Sequence, residues 1–583
     1  MLQILLLGIA LPPLTPLVAR SQSDAAESQK QDEIEALMPD TPVICSLITK
    51  HLGKYVEAAL RDDAAGEGED DDDLDESFVC LQLLKLSRSA DFSDESGCKQ
   101  MLSLLKGMLC SATTPDELVE SCIRALAVAH RTETEYIERV HEIIAEVSDY
   151  DAESEDVSAS DAAFRQLRIV SVVGVVLEHT KRGLDDPLIS SLSDMILPAV
   201  TSADGIIREA GVRCLGKYAL LGRDAAIEYR PLLLGIAANE SEEADIRGQA
   251  MLAMCDLAML WPVMCEETEA LDLINEQMTR VSLGELLMNI LDNAGGGLVV
   301  VAAEICCKLI MMGRIDSDEA LGKLLVIYFD PLFATRLMGG EEDEGEEVSV
   351  ASQKQLEADT DDATEVGSPI RLQQMLSLFF NVFVTVRAGA KLASSIKEVL
   401  RLVDEGWKAG GSGTQDNRRT RGRSKKGESV PLDKVVSFVG NTSSCGATVG
   451  LETCQYIVDA SSSAGGIGKD ALTDLVKSLS STHVEEEGFE DYVLLREVAG
   501  DVDEILDSSG ASKTVSKNFQ KFIKAVEDAQ DWAKARAKEV EAARKAKENE
   551  DWQQGVADDQ APPAGKGEAV VERERGVLSE VQA

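Results

Sequence analysis

Side-chain catalysis needs a nucleophile, a base or a metal ligand set brought to one place, and histidine serves most of these roles. The chain of 583 residues has five histidines: His51, His130, His141, His179 and His483. None stands in a Cys, Asp or Glu pattern of metal-ligand spacing, so they read as structural. Its twelve cysteines contain no C-x-x-C pair. Cys80, Cys122, Cys214 and Cys255 fall inside apolar helical patterns, where a thiol acts as a small hydrophobe. Adjacent Cys306 and Cys307 point to two faces of one helix and do not share a zinc ion of the usual spacing. Free thiols scattered in this way fit a reducing compartment. The segment Ser463–Asp470 looks superficially like a phosphate loop. A true one needs a glycine where Ser463 stands and Ser or Thr where Asp470 stands. Neither G-x-S-x-G nor H-E-x-x-H occurs. No catalytic residue, metal or cofactor is expected.

The elements between these residues are helical. Aromatics make up only 4% of the chain, which argues against a large β-sandwich or barrel. Leu, Ala and Glu, all good helix formers, fill the regular segments. The balance of 57 basic to 104 acidic residues gives a formal net charge of -47. Such a chain is repelled by bulk DNA and anionic lipid unless a local basic patch opposes the trend. The acid is concentrated in runs at Glu67–Glu76 and Glu341–Glu347, expected to be solvated, disordered loops. The apolar start, Met1 to Leu11, imitates a signal peptide without its positive n-region. We read it as a helix from a longer parent, with Met1 a late gene-model start.

Amphipathic segments of 12 to 20 residues run from Glu33 to Val403. In one, Ile207, Gly211, Cys214, Leu215, Tyr218 and Leu221 keep the 3.6-residue period, with Glu209 and Arg213 paired on the other face. Small residues Ser171, Gly211 and Ala250 recur at spacings of 40 and 39, and Val175, Leu215 and Met254 keep the same spacings. Arg168, Arg208 and Arg247 each precede the small residue by three. A period near 40 with two helices per unit marks HEAT or armadillo repeats, so the fold class is an all-α HEAT/armadillo-like solenoid. Stacked units leave an extended surface for gripping peptide or nucleic acid. The arginines are expected to pair with acids of the adjacent repeat, with ligand contact as the alternative. Trp261 and Met264, near a helix end, are expected to be exposed and to mark an unfilled peptide groove.

The organisation expected is an N-terminal segment 1–32, repeats over 33–157 with an acidic loop 62–76, and a HEAT domain 158–405 with an acidic insertion 340–366. A flexible basic linker, 406–429, and a largely disordered tail, 430–583 with one charged helix 516–552, complete it. The helix's apolar stripe is Phe519, Phe522, Ile523 and Val526. The linker holds the one dense basic cluster: Arg418, Arg419, Arg421, Arg423, Lys425 and Lys426. It reads as a nuclear-import signal or as a tethered DNA contact.

The stretch Ile196–Leu221, with its Pro198-Ala199-Val200 turn, Arg208-Glu209 pair and Cys214-Leu215-Gly216 helix, resembles the opening of the C-terminal domain of the condensin complex subunit 3 family. Phe78–Leu84, Asp91–Glu95, Pro115–Val119, Tyr136–Ile144 and Arg371–Phe380 resemble further pieces of that family, in collinear order over roughly 33–405. Lys217 departs from it, standing where the family more often has an apolar residue; the family's N-terminal HEAT half is absent, which puts in doubt any DNA contact made there. The resemblance implies a non-SMC HEAT-repeat scaffold without enzyme activity. It implies binding to the kleisin subunit, assembly with SMC ATPases, and DNA held through the complex on condensed chromosomes in the nucleus. The competing expectation is an unrelated HEAT adaptor of cohesin, transport or phosphatase type.

Overall fold

The computed structural model describes residues 39–65, 72–149, 159–271, 278–331, 333, 368–387, 389–407, 430–462, 467–486 and 488–559. The N-terminal segment 1–32, the acidic insertion 340–366 and the basic cluster 418–426 lie outside them. Two compact units divide the chain. One takes in residues 1–320, 331–379 and 407–428; the other takes in 321–330, 380–406 and 429–583.

The first unit is a ladder of helices: α1 (Thr41–Ala65), α2 (Asp72–Ser87), α3 (Glu95–Cys110), α4 (Asp116–Ala129), α5 (Glu133–Asp149) and α6 (Ala159–His179). After a one-turn helix, α7 (Pro187–Ser190), come α8 (Ser193–Val200), α9 (Gly205–Ala219), α10 (Arg223–Ala238), α11 (Ala244–Leu260), α12 (Leu283–Asn293) and α13 (Gly297–Met311). Helices touch their sequence neighbours, as in α1–α2, α3–α4, α8–α9, α10–α11 and α12–α13, and many also touch the matching helix of the next pair. One row therefore runs α1–α3–α5, and the other runs α2–α4–α6–α9–α11–α13. Two parallel rows joined by hairpins are the geometry of an α-solenoid.

The breaks between helices are written in the sequence. Asp94 accepts the backbone N–H of Ser96 and Gly97 at the start of α3, and Asp186 caps α7 through Leu188. Ser282 and Glu285 close a capping box at the start of α12. The single departure from helix among the described residues is an antiparallel hairpin, β1 (Thr268–Leu271) with β2 (Met278–Val281), pairing Thr268 with Val281.

In the second unit, α14 (Asp318–Phe329) contributes residues 321–329 and α15 (Pro369–Arg387) contributes 380–387. They are joined by α16 (Gly389–Ser394), α17 (Ile396–Asp404), α18 (Leu432–Ser443), α19 (Gly446–Ser462), α20 (Lys469–Leu479), α21 (Tyr492–Ser508) and α22 (Lys513–Asp559). The same rule holds here, with rows α16–α18–α20–α22 and α17–α19–α21. The rings of Tyr328, Phe329, Phe380 and Phe438 meet with centroids 5.0 to 6.0 Å apart at its core.

Three expectations change. The all-α solenoid stands, but the tail is not largely disordered: 430–559 is almost entirely helical among the described residues. Its short apolar pieces, broken by Ser and Gly, hide a ladder whose buried positions include Val436, Val439, Cys454, Leu475, Leu495 and Val502. The charged helix runs from Lys513 to Asp559 rather than 516–552, and Phe519, Phe522 and Val526 are buried, with Ile523 half-buried. The acidic loop shrinks as well. Helix α1 continues to Ala65, and α2 begins at Asp72 inside the acidic run, where carboxylates favour a helix N-terminus. Glu76 then pairs with His51 and Lys54 of α1, which holds its carboxyl below the usual range.

Candidate interaction surface

Helix α9 carries the family-like motif, and its position explains the residue types. Asp204 starts it by accepting from Ile206 N at 2.9 Å and Ile207 N at 3.3 Å. Gly211 lets α8 approach: a Cβ there would stand 2.7 Å from Val200 N and 2.8 Å from the Ala199 carbonyl carbon. Gly216 does the same for α11, since its Cβ would lie 2.6 Å from that of Ala253. Cys214 and Leu215 are buried between these contacts, and burial pushes the Cys214 thiol up to about 12. A thiol so shielded is a packing group and no nucleophile.

Arg208 reaches both ways. One guanidinium nitrogen donates to the carbonyls of Ser202 at 2.9 Å and Ala203 at 3.0 Å; the other donates to Glu242 of the next unit at 2.7 Å. Arg168 sits one unit earlier and is 1% exposed, donating to the Thr114 carbonyl at 2.7 Å, 3.1 Å from Asp116, and lying over the Phe164 ring. Arg247 makes the third member without an ion pair among the described residues: its Nε donates to the Ala237 carbonyl at 3.1 Å, at the end of α10, and Glu240 acts on it through charge alone. The periodic arginine therefore ties each row helix to the turn or helix end beside it, with an acid added at two positions of three. Such bonds are charge-assisted and fix register.

Polar side chains link the row α6–α9–α11–α13 from helix to helix. Lys217 on α9 donates to Glu178 on α6 at 3.1 Å and to the Gly174 carbonyl at 3.4 Å. Arg213 pairs with Glu209 on its own helix and reaches Gln249 on α11 at 3.4 Å. Asp256 on α11 lies near Lys308 on α13; burial raises its carboxyl, and Lys308 opposes that shift. Glu304 binds Lys308 at 2.8 Å and lies 3.7 Å from Arg371. Lys217, which departs from the family pattern, is thus one rung of this chain. Of the other rungs the sequence reading singles out only the Glu209–Arg213 pair. The signal of the rest is a lone charge inside an apolar helix, as with Asp256 in Met251–Leu260 or Glu304 in Val299–Ile310.

The structure places Arg208, Cys214, Leu215 and Gly216 at one joint between successive units, while Glu209 pairs with Arg213 on the same helix. Trp261 is half-buried, but Met264 is fully buried in the 3-10 turn Pro262–Cys265. The exposed apolar residue at this helix end is Leu260, at 55%. Met264 turns inward because the turn after Trp261 folds it against α11, to which the turn is packed. His130 and His141 make bonds to the Leu126 and Leu188 carbonyls at 2.8 Å. No group of three His, Cys, Asp or Glu residues able to hold a metal occurs among the described residues. No described helix is long and apolar enough to cross a membrane.

Residues 168–439 match the family model described as nuclear condensing complex subunits, C-terminal domain. The match begins at Arg168 and takes in the whole motif on α9. The chain is 27% identical over 363 residues to condensin complex subunit 3 of Schizosaccharomyces pombe, covering 54% of this chain and 39% of that protein. It is 21% identical over 417 residues to the protein of the same name from Xenopus laevis, covering 54% and 40% respectively. It thus spans about two fifths of the length of these relatives. Among solved structures, the S. pombe condensin Cnd3-Cnd2 subcomplex aligns with a TM-score of 0.52 at 19% identity, covering 88% of this chain and 60% of that one. At that identity the likeness concerns the fold.

Proposed function

We propose that this chain, whose residues 168–439 match the family model described as nuclear condensing complex subunits, C-terminal domain, is a HEAT-repeat scaffold of condensin that binds the kleisin subunit and acts without chemistry of its own. The observation that carries the reading is the coincidence of that domain with the α6–α9–α11–α13 row. Most of its motif residues are spent on inter-helix joints, and polar ties run along the row from helix to helix. A strip of paired, alternating charge suits a polypeptide laid along it, since neither sign dominates and each pair can be exchanged for one with the ligand. The solved relative crystallised as a Cnd3-Cnd2 subcomplex supports a second polypeptide as the ligand. On this reading the SMC ATPases supply the energy, and the protein works on condensed chromosomes in the nucleus. Affinity isolation of the tagged chain from dividing cells should recover SMC ATPases and a kleisin together. Recovery of transport factors or phosphatase subunits in their place would establish the other HEAT adaptor reading.

DNA contact belongs to the complex in this proposal. At a net charge of -47 the body lacks the clustered cations that counterion release requires. The candidate is the cluster Arg418, Arg419, Arg421, Arg423, Lys425 and Lys426. Changing all six to Ala should weaken duplex binding by the kleisin-bound complex similarly for all sequences and make its salt dependence shallower. Unchanged affinity with failed nuclear import would leave the cluster as an import signal alone.

A further inference from the structure

A small cavity of about 240 Å³ opens in the first unit, lined by Arg88, Arg124, Ala127, Val128, Tyr136 and His179. It lies where α2, α4 and α6 end, upstream of nearly all of the family-matched segment. Cations at helix C-termini complement the partial negative charge of the last carbonyls, which accounts for one such group per helix. Three features go further.

The first is that Arg88 has no ion pair among the described residues, and it is exposed. The second concerns the neighbouring acids, which are already engaged. Glu120 pairs with Arg124 at 2.5 Å. Glu133 accepts from Thr180 and Lys181 N, and Glu178 binds Lys217. The third is Tyr136: it is 4% exposed, lines the cavity, and its buried hydroxyl has no hydrogen-bond partner. A buried hydroxyl without a partner carries a desolvation cost that a ligand oxygen would relieve. Arg124 Nε donates to His179 Nε2 at 2.9 Å, so His179 carries its proton on Nδ1, a further donor.

We propose that this cavity is a recognition site for a phosphorylated serine or threonine side chain of a partner protein segment. The Arg88 guanidinium and the buried Tyr136 hydroxyl are donors without a matching acceptor, and Arg124, held by Glu120 and His179, adds a second positive charge to the wall; a phosphoryl group offers three strong acceptor oxygens and nearly two negative charges. The cavity is sized for one side chain rather than a polymer track. The chain's net charge of -47 disfavours a nucleic acid backbone. Val128, 46% exposed at the cavity wall, and Leu86, 38% exposed on α2, offer apolar footing for a residue beside the phosphate. The site is independent of the kleisin reading.

The test is fluorescence anisotropy of the full chain with a labelled heptapeptide pool holding phosphoserine at its centre. Matched pools with serine or glutamate and a short duplex DNA are the comparisons. The phosphoserine pool should bind, and the serine and glutamate pools should bind at least about tenfold more weakly. Arg88→Ala should lower phosphopeptide affinity by about tenfold. Tyr136→Phe should also weaken it while raising the melting temperature of the free protein, because it removes the unpartnered hydroxyl. A merely structural tyrosine would not give that pair of opposite signs. Equal binding of the glutamate pool, preference for the duplex, or affinity unchanged in Arg88→Ala would each overturn the proposal.

Discussion

The two units reach the same two-row ladder with different side-chain vocabularies. In the first, the row helices are tied by arginines at a period near 40; close glycine contacts and ion pairs from helix to helix occur in both units. In the second, the rings of Tyr328, Phe329 and Phe438 gather around or beside the buried Phe380. The lesson is that a solenoid needs only an apolar face on each helix and a turn of suitable length; the residues that fix register are free to differ. Polar ties are worth about 1 kcal/mol each, whereas a buried ring contributes several.

That contrast predicts a ranking. Phe380→Ala, at a side chain with no exposure, should cost about 3–5 kcal/mol in equilibrium unfolding of the second unit. A loss below about 1 kcal/mol would show that the ring cluster is not its core. In the first unit, Gly211→Ala sets a methyl against the backbone of α8 and should cost about 1–3 kcal/mol. Retention of wild-type stability would mean that the α8–α9 approach is loose. Arg208→Ala removes bonds to Ser202, Ala203 and Glu242 and should cost about 1–2 kcal/mol, measured by denaturant titration. Arg247→Ala, with a single bond, should cost less; the reverse order would break the account of the periodic arginine.

The smallest effect concerns pH. Burial raises the Asp256 carboxyl in the folded protein, so folding favours its protonated form. Stability therefore falls as pH rises from the ordinary aspartate range through the folded value, and the full penalty applies above it. Asp256→Asn removes the charge and should stabilise the protein at neutral pH by about 0.5 kcal/mol. In acid below the ordinary aspartate range the two proteins should converge. A mutant less stable at neutral pH would show that Lys308 outweighs burial.

The same contrast explains what is legible in the sequence. The first unit announces itself because Arg168, Arg208 and Arg247 and the small residues after them repeat in register. The joint at Gly211 is part of that register, while the partner of Arg247 is not, because a carbonyl acceptor leaves no mark in sequence. Beyond Trp407 the one readable element of the second unit is the charged helix with its stripe at Phe519, Phe522 and Val526. Helices α18 to α21 carry Gly446, Gly450 and several serines that weaken local helix propensity, and packing supplies the difference. Met264 escapes a local reading because a helix ending at Leu260 predicts exposed residues just beyond it, whereas the next turn folds inward. The cavity around Tyr136 draws on four segments far apart in the chain, so no local pattern could show it.

The central claim, that the chain is a scaffold completed by a kleisin segment, is tested most directly by thermal unfolding. The full chain should be compared alone and after co-expression with the central segment of the kleisin. Binding to the folded state alone stabilises it by mass action, by about 2.7 kcal/mol at a hundredfold excess over Kd. The account predicts a one-to-one complex, higher soluble yield and a melting temperature raised by several degrees. Equal solubility and an unchanged melting temperature with and without the kleisin segment would contradict it.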